Sequence, residues 1–182
     1  MKIYLLRHSE STSNKALLAD SQIDAELSDQ GQENTLRLVE ILKKINPDVF
    51  FVSSLKRTLK TIQPFLDTLK EPTVIESPLL IERNLGVFTG SKLGTFKKYC
   101  EENNLNRVTF RPEKGESVLD TYNRAVNFYA EIKGNFSDKK VLICSSMVVL
   151  MCLEIITKGK EIMDYYQFPR FEPGELREFE TK

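Results

Sequence analysis

The chain has one histidine, three cysteines, no excess of charge of either sign and no apolar stretch approaching a membrane span. Each scarcity excludes something. Lys plus Arg number 26 and Asp plus Glu number 26, so there is no global field to hold nucleic acid or an anionic membrane, and any anion site must be local. The opening Met1-Lys2-Ile3-Tyr4-Leu5-Leu6 is too short in apolar residues for a signal peptide, and no run nears the ~20 residues of a transmembrane helix. Cys100, Cys144 and Cys152 make an odd number, two of them in or beside an apolar run, which suits buried free thiols in a reducing, cytoplasmic setting. One histidine and scattered carboxylates give no metal-ligand spacing, so neither metal nor other cofactor is implied. No linker, repeat or low-complexity segment divides the 182 residues, and 41% hydrophobic content suffices for one domain over 1–182.

What is present is an alternation of short apolar runs and helical periodicity. Ile3 to Leu6 reads as a buried strand ending at Arg7-His8. Ser28 then caps a helical pattern through Leu36, Val39, Leu42 and Ile45, with Pro47 as its stop. Residues 48–52 predict a second strand, ending in Ser53-Ser54, and Leu55 to Leu69 a helix interrupted by Pro64. Thr73 to Ile75 predicts a strand, Phe96 to Asn103 a short helix, and Ser117 to Ile132 a longer one capped by Ser117 with Asp120 three residues on. Lys139 to Cys144 predicts another strand, Met147 to Ile156 a buried helix, and Glu175 to Thr181 a final edge strand. The pattern is that of an α/β fold, a mainly parallel sheet with helices on both faces. Three strands end in polar groups, Arg7-His8, Ser53-Ser54 and Ser145-Ser146, and such sheets bind ligands outside their carboxyl ends.

His8 beside Arg7 pairs a nucleophilic imidazole with a permanent cation. A neutral imidazole nitrogen can attack phosphorus while a guanidinium neutralises the phosphoryl oxygens, so the pair suits phosphoryl transfer. Arg57 opens a helix after a polar strand end, where an anion is already favoured. Glu82 follows Leu79-Leu80-Ile81, where partial burial and a neighbouring phosphate would favour a proton-donating form; its simpler role is a salt bridge with Arg83.

In order along the chain stand Arg7-His8-Ser9-Glu10 with Asn14, Leu27-Ser28-Asp29-Gln30-Gly31, Ser53-Ser54-Leu55-Lys56-Arg57-Thr58, Glu82 with Gly86 and Gly90, and Gly115-Glu116-Ser117. Together these closely resemble the histidine phosphatase superfamily, the phosphoglycerate-mutase-like proteins, from the first strand to at least residue 150. The resemblance implies a three-layer sandwich, His8 as the phosphorylated nucleophile, Arg7 and Arg57 as a phosphate clamp, Asn14 as a further phosphate contact and Glu82 as general acid.

The resemblance also exposes departures. Ser146, in Ser145-Ser146-Met147, stands where the family has a second histidine in a Ser-His-Gly turn, and Ser9 replaces a glycine of the first motif. Losing such a charge-stabilising group commonly costs ~10²- to 10³-fold in rate, while the serine hydroxyl can still contribute a phosphate hydrogen bond. Two origins fit: an engineered replacement, or natural divergence, which the other changes favour.

The implied function is a phosphomonoester hydrolase acting on a small phosphorylated metabolite, with inorganic phosphate as product. Its rival is a pseudophosphatase that binds phosphate ligands or proteins without turnover. A mutase is disfavoured, because only about twenty residues separate Gly90 from Arg111-Pro112, where the family's mutases resemble longer chains. Between Ser91 and Arg111, Lys92, Lys97, Lys98, Arg107 and Arg111 suit a substrate with a second anionic group, although a solvated helix face is the simpler reading. Oligomeric state is not legible in the sequence.

Overall fold

The computed structural model describes residues 1–180. Five strands form one sheet: β1 (Lys2–Arg7), β2 (Val49–Val52), β3 (Val74–Glu76), β4 (Lys140–Ser145) and β5 (Leu176–Glu180), in the order β3-β2-β4-β1-β5. The first four run parallel and only β5 is antiparallel, on the far edge of β1. This is the expected α/β architecture. Thr181, the last residue of the anticipated edge strand, lies outside the described residues.

The two-residue alternation of each strand divides the core. Ile3, Leu5, Val49, Phe51, Val141 and Ile143 point to one face, where α5 (Val118–Asn135) and α6 (Met147–Thr157) cover them. Tyr4, Leu6, Phe50, Val52, Leu142 and Cys144 point to the other, against α2 (Asp29–Ile45) and α3 (Lys56–Leu66). On the first face Phe51 meets the edges of Phe128 and Phe136 at 5.3 and 5.4 Å, geometry that favours aromatic pairs beyond their burial. Two further helices, α1 (Thr12–Lys15) and α4 (Thr95–Glu102), contribute no residue to either core cluster.

The caps follow the sequence. Ser28 Oγ accepts the Gly31 N–H, and Ser117 and Asp120 satisfy each other's backbone donors in a capping box. α2 stops at Asn46, whose left-handed conformation (φ 49°) ends the helix one residue before Pro47. Pro64 does not interrupt α3: it sits in the last turn, where it removes one helical donor, and the helix ends two residues later.

Two long-range contacts brace the end of β1. The backbone N–H of Gly174 donates to the carbonyls of Arg7 and His8, both at 3.2 Å, and Arg7 Nη1 donates to the Phe171 carbonyl at 2.6 Å. That C-terminal segment is itself tied down, because Arg177 stacks on the buried Phe171 and bridges to Glu154 Oε2 at 2.7 Å. On the opposite side the first turn of α2 presses on the loop after His8. The Ser28 N–H donates to the Glu10 carbonyl, and a Cβ at Gly31 would lie 2.1 Å from that same oxygen. Gly31→Ala is expected to cost about 1–3 kcal/mol through forced backbone movement, read as a lower urea midpoint; an unchanged midpoint would refute the close approach.

Candidate active site

β1 and β4 lie side by side with Arg7 in register with Ser145, and the next residue, His8, donates its backbone N–H to the Ser145 carbonyl at 3.0 Å. The chain leaves β1 toward β2 by crossing over β4, so His8 and Ser146 emerge together near the switch point of the sheet. A small cleft of about 120 Å³ opens there, lined by His8, Asn14, Asp20, Arg57 and Glu82 among others.

His8 is 2% exposed, and its Nδ1 lies 2.7 Å from the Ser9 carbonyl. A carbonyl can only accept, so Nδ1 carries the proton and Nε2 keeps its lone pair. Burial, then the Arg57 and Arg7 charges, hold the imidazole well below the ordinary histidine range, so it is neutral at physiological pH.

Arg57 is fully buried at the start of α3. Its Nη1 donates to the Ile23 carbonyl at 2.6 Å, and its Nη2 donates to the Ser21 carbonyl at 2.9 Å and to Ser146 Oγ at 3.3 Å. Asp20 Oδ2 lies 3.9 Å from Nη1, and Nε is buried with no hydrogen-bond partner among the described residues. Three of five N–H groups are therefore spent on the protein, and two remain. The carbonyls of Ser21 and Ile23 reach Arg57 because the loop after α1 turns sharply, with Ser21 at φ 50°.

Glu82 is 9% exposed. Its Oε1 accepts the Arg83 N–H at 2.7 Å and its Oε2 faces the Val148 N–H at 3.4 Å. Among the described residues no Glu82–Arg83 ion pair forms: Arg83 Nε donates to the Glu116 carbonyl at 2.8 Å, and its Nη2 is buried without a partner. Asn14 donates through Nδ2 to Asp20 Oδ2 at 3.3 Å.

Of the six anticipated site residues, His8, Asn14, Arg57 and Glu82 line the cleft. Arg7 is not among the lining residues and is anchored on Phe171 behind it, and Ser146 is fully buried, its hydroxyl holding Arg57. Sequence reasoning missed Asp20 and Arg83, which also line the cleft. Asp20 belongs to no periodic segment, and Arg83 was weighed only as a partner for Glu82.

Outward, the cleft shares Arg83, Leu85, Leu93, Met147 and Val148 with a wider pocket of about 460 Å³. Arg83, Lys92, Lys97, Arg107 and Arg170 line this pocket, and no carboxylate does. Arg107 stacks 3.9 Å from the Tyr166 ring centre and Arg83 4.5 Å from that of Phe96. Lys98 and Arg111 are not part of it; Arg111 instead pairs with Asp120 at 2.6 Å.

The family model for the histidine phosphatase superfamily (branch 1) matches residues 3–182. The chain belongs to that superfamily. Among curated histidine phosphatase relatives, it is 27% identical to phosphoserine phosphatase 1 of Hydrogenobacter thermophilus, over 92% of this chain and 81% of that protein. It is 31% identical to a 2,3-bisphosphoglycerate-dependent phosphoglycerate mutase of Lachnoclostridium phytofermentans, over 80% of this chain and 72% of that protein. In fold it is similar to a mycobacterial glucosyl-3-phosphoglycerate phosphatase solved with VO3, with a TM-score of 0.84 at 20% identity over 97% of this chain and 91% of that one.

The buried neutral His8 has a consequence for stability. Above about pH 6.5 it is neutral whether folded or unfolded and adds no pH dependence; below that value the unfolded chain takes up a proton that the folded site refuses. Wild-type stability relative to His8→Gln is expected to fall by up to ~1.4 kcal/mol per pH unit as pH drops below 6.5, down to the folded-state value. Parallel urea midpoints for the two proteins between pH 7 and pH 5 would show that His8 is protonated in the fold.

Proposed function

We propose that this chain is a phosphomonoester hydrolase working through a phosphohistidine at His8. The observation that carries the reading is the tautomer: Nδ1–H fixed on the Ser9 carbonyl leaves Nε2 unprotonated in a cleft shared with Arg57 and Glu82. The Nε2 lone pair forms a bond to phosphorus as the ester P–O bond breaks. The departing alkoxide takes a proton from the Glu82 carboxyl group. Positive charge appearing on the ring is shared with the Ser9 carbonyl, while the remaining N–H groups of Arg57, Asn14 and the Arg7 charge act on the phosphoryl oxygens. Glu82, now a carboxylate, removes a proton from water; that oxygen attacks phosphorus, phosphate leaves, and neutral His8 is restored.

Ser146 sets the rate in this reading. In the family pattern a second imidazole stands there, and its loss removes ~10²- to 10³-fold of transition-state stabilisation. The hydroxyl, engaged with Arg57 at 3.3 Å, serves to position the guanidinium. The remaining details follow the sequence: one catalytic unit over residues 1–182, a cytoplasmic setting in keeping with three unpaired buried cysteines, and a small phosphorylated metabolite as substrate. The cationic outer pocket supports a substrate with a second anionic group beside its phosphoryl group.

The test is a steady-state assay on p-nitrophenyl phosphate and small phosphomonoesters with the wild type, His8→Ala and Ser146→His. Activity is expected to disappear in His8→Ala and to rise ~10²-fold in kcat with Ser146→His. Undiminished turnover without His8 would overturn the mechanism; silence in both the wild type and Ser146→His would favour the non-catalytic phosphate-binding reading.

A further inference from the structure

Asp20 is the cleft residue for which this reaction has no use. It is 7% exposed and shares the small cleft with His8, Arg57 and Glu82. Its Oδ2 accepts from Ser11 Oγ at 2.6 Å and from Asn14 Nδ2 at 3.3 Å, and it lies 3.9 Å from Arg57 Nη1. Two groups expected to grip phosphate are thus turned toward an internal carboxylate. Its other oxygen, Oδ1, is buried and has no hydrogen-bond partner among the described residues. The loop that delivers Asp20 bends through left-handed conformations at Leu17 (φ 56°) and Ser21 (φ 50°), which side chains adopt only at a cost, so its placement is held by the surrounding structure.

An ionised carboxylate offers only lone pairs, and so does the phosphoryl group of a phosphomonoester dianion. In a cleft of about 120 Å³ they cannot be kept far apart, and facing each other they repel. One proton between them converts the repulsion into a short, charge-assisted hydrogen bond. We propose that Asp20 Oδ1 is a built-in acceptor that restricts the cleft to a phosphoryl group bringing a proton, so that the site takes phosphomonoester monoanions and rejects proton-free dianions such as sulfate. The proton belongs to the Asp20–phosphate pair, whichever oxygen holds it at a given moment. This inference rests on the phosphate-binding reading above and adds to it the ionic form of the ligand.

Other charged groups face the same space. Arg57 comes from α3, Arg7 and His8 from the end of β1, and Glu82 and Arg83 from the segment after the Pro78–Leu80 turn. The arginines do not titrate in the relevant range, and burial keeps His8 neutral there. Glu82 is therefore the one rival for the effect, and it is tested directly.

The experiment is titration calorimetry with methylphosphonate, whose P–C bond is not hydrolysed and whose dianion carries no proton, and with sulfate, at about pH 5.5 and about pH 8.5, on either side of the loss of the last phosphonate proton. The wild type is expected to bind methylphosphonate at least tenfold more weakly at the higher pH, and sulfate at least tenfold more weakly than methylphosphonate at the lower. Asp20→Asn, whose amide can donate to an unprotonated oxygen, should flatten the pH dependence to within about threefold and gain sulfate binding; Asp20→Ser repeats the test with a smaller side chain should the amide disturb the loop. Glu82→Gln should keep the wild-type preference. Wild-type methylphosphonate binding that is indifferent to pH and to Asp20, or a preference lost in Glu82→Gln instead, overturns the role of Asp20 while leaving the phosphate site standing. No binding of either anion by the wild type and both Asp20 variants overturns the phosphate-binding reading, and this inference with it.

Discussion

The site depends on one buried cation. Arg57 has no solvent exposure, and a guanidinium taken out of water must be met by oxygens at every turn. Those oxygens come from distant places: the carbonyls of Ser21 and Ile23 in the loop after α1, and the hydroxyl of Ser146 at the head of α6. Satisfying one side chain therefore draws two segments toward the start of α3, and they close around His8. The same charge, behind the effect of burial itself, keeps the imidazole unprotonated, so architecture and nucleophilicity share a cause.

This arrangement also explains why a serine is tolerated at position 146. An imidazole there would compete for the phosphoryl group; a hydroxyl is small enough to sit fully buried and hold Arg57 instead. The serine helps keep the cation in place. Asp20 belongs to the same economy of charge, since Arg7 and Arg57 each feel both Asp20 and Glu82. The inner cleft is close to balanced in sign, whereas the outer pocket is cationic throughout. On the proposed reading, an anionic ligand is drawn by the outer charges and discriminated by the inner ones.

Much of this was legible in the sequence, and the rest was hidden for physical reasons. Strand ends and the caps at Ser28 and Ser117 are written locally, in alternation and in the reach of a hydroxyl to a nearby N–H, and they fall where the residues indicate. His8, Asn14, Arg57 and Glu82 came from ordered motifs, and they converge on the cleft. Pro64 misled because its effect depends on distance from the helix end, which composition does not reveal. The α1 turn capped by Ser11 is too short to leave a periodicity. Asp20 was invisible because its meaning lies wholly in a loop whose path is set by Arg57, 37 positions away in a helix of its own. The basic residues between 91 and 111 read as a surface face, yet Lys92, Lys97 and Arg107 turn inward to the pocket while Lys98 and Arg111 do not.

The placement of β1 has a consequence for how the molecule is made. The first strand ends beside His8, but both of its neighbours come late, β4 at Lys140–Ser145 and β5 at Leu176–Glu180, and the braces on Arg7 and His8 come from Phe171 and Gly174. During synthesis the N-terminal segment must wait, unpaired and apolar, until β4 and β5 have left the ribosome. Its pairings span more than a hundred residues, the kind of closure that slows folding. A nascent chain halted before Gly174 would hold every motif of the cleft in its sequence and still lack the braces that set the end of β1.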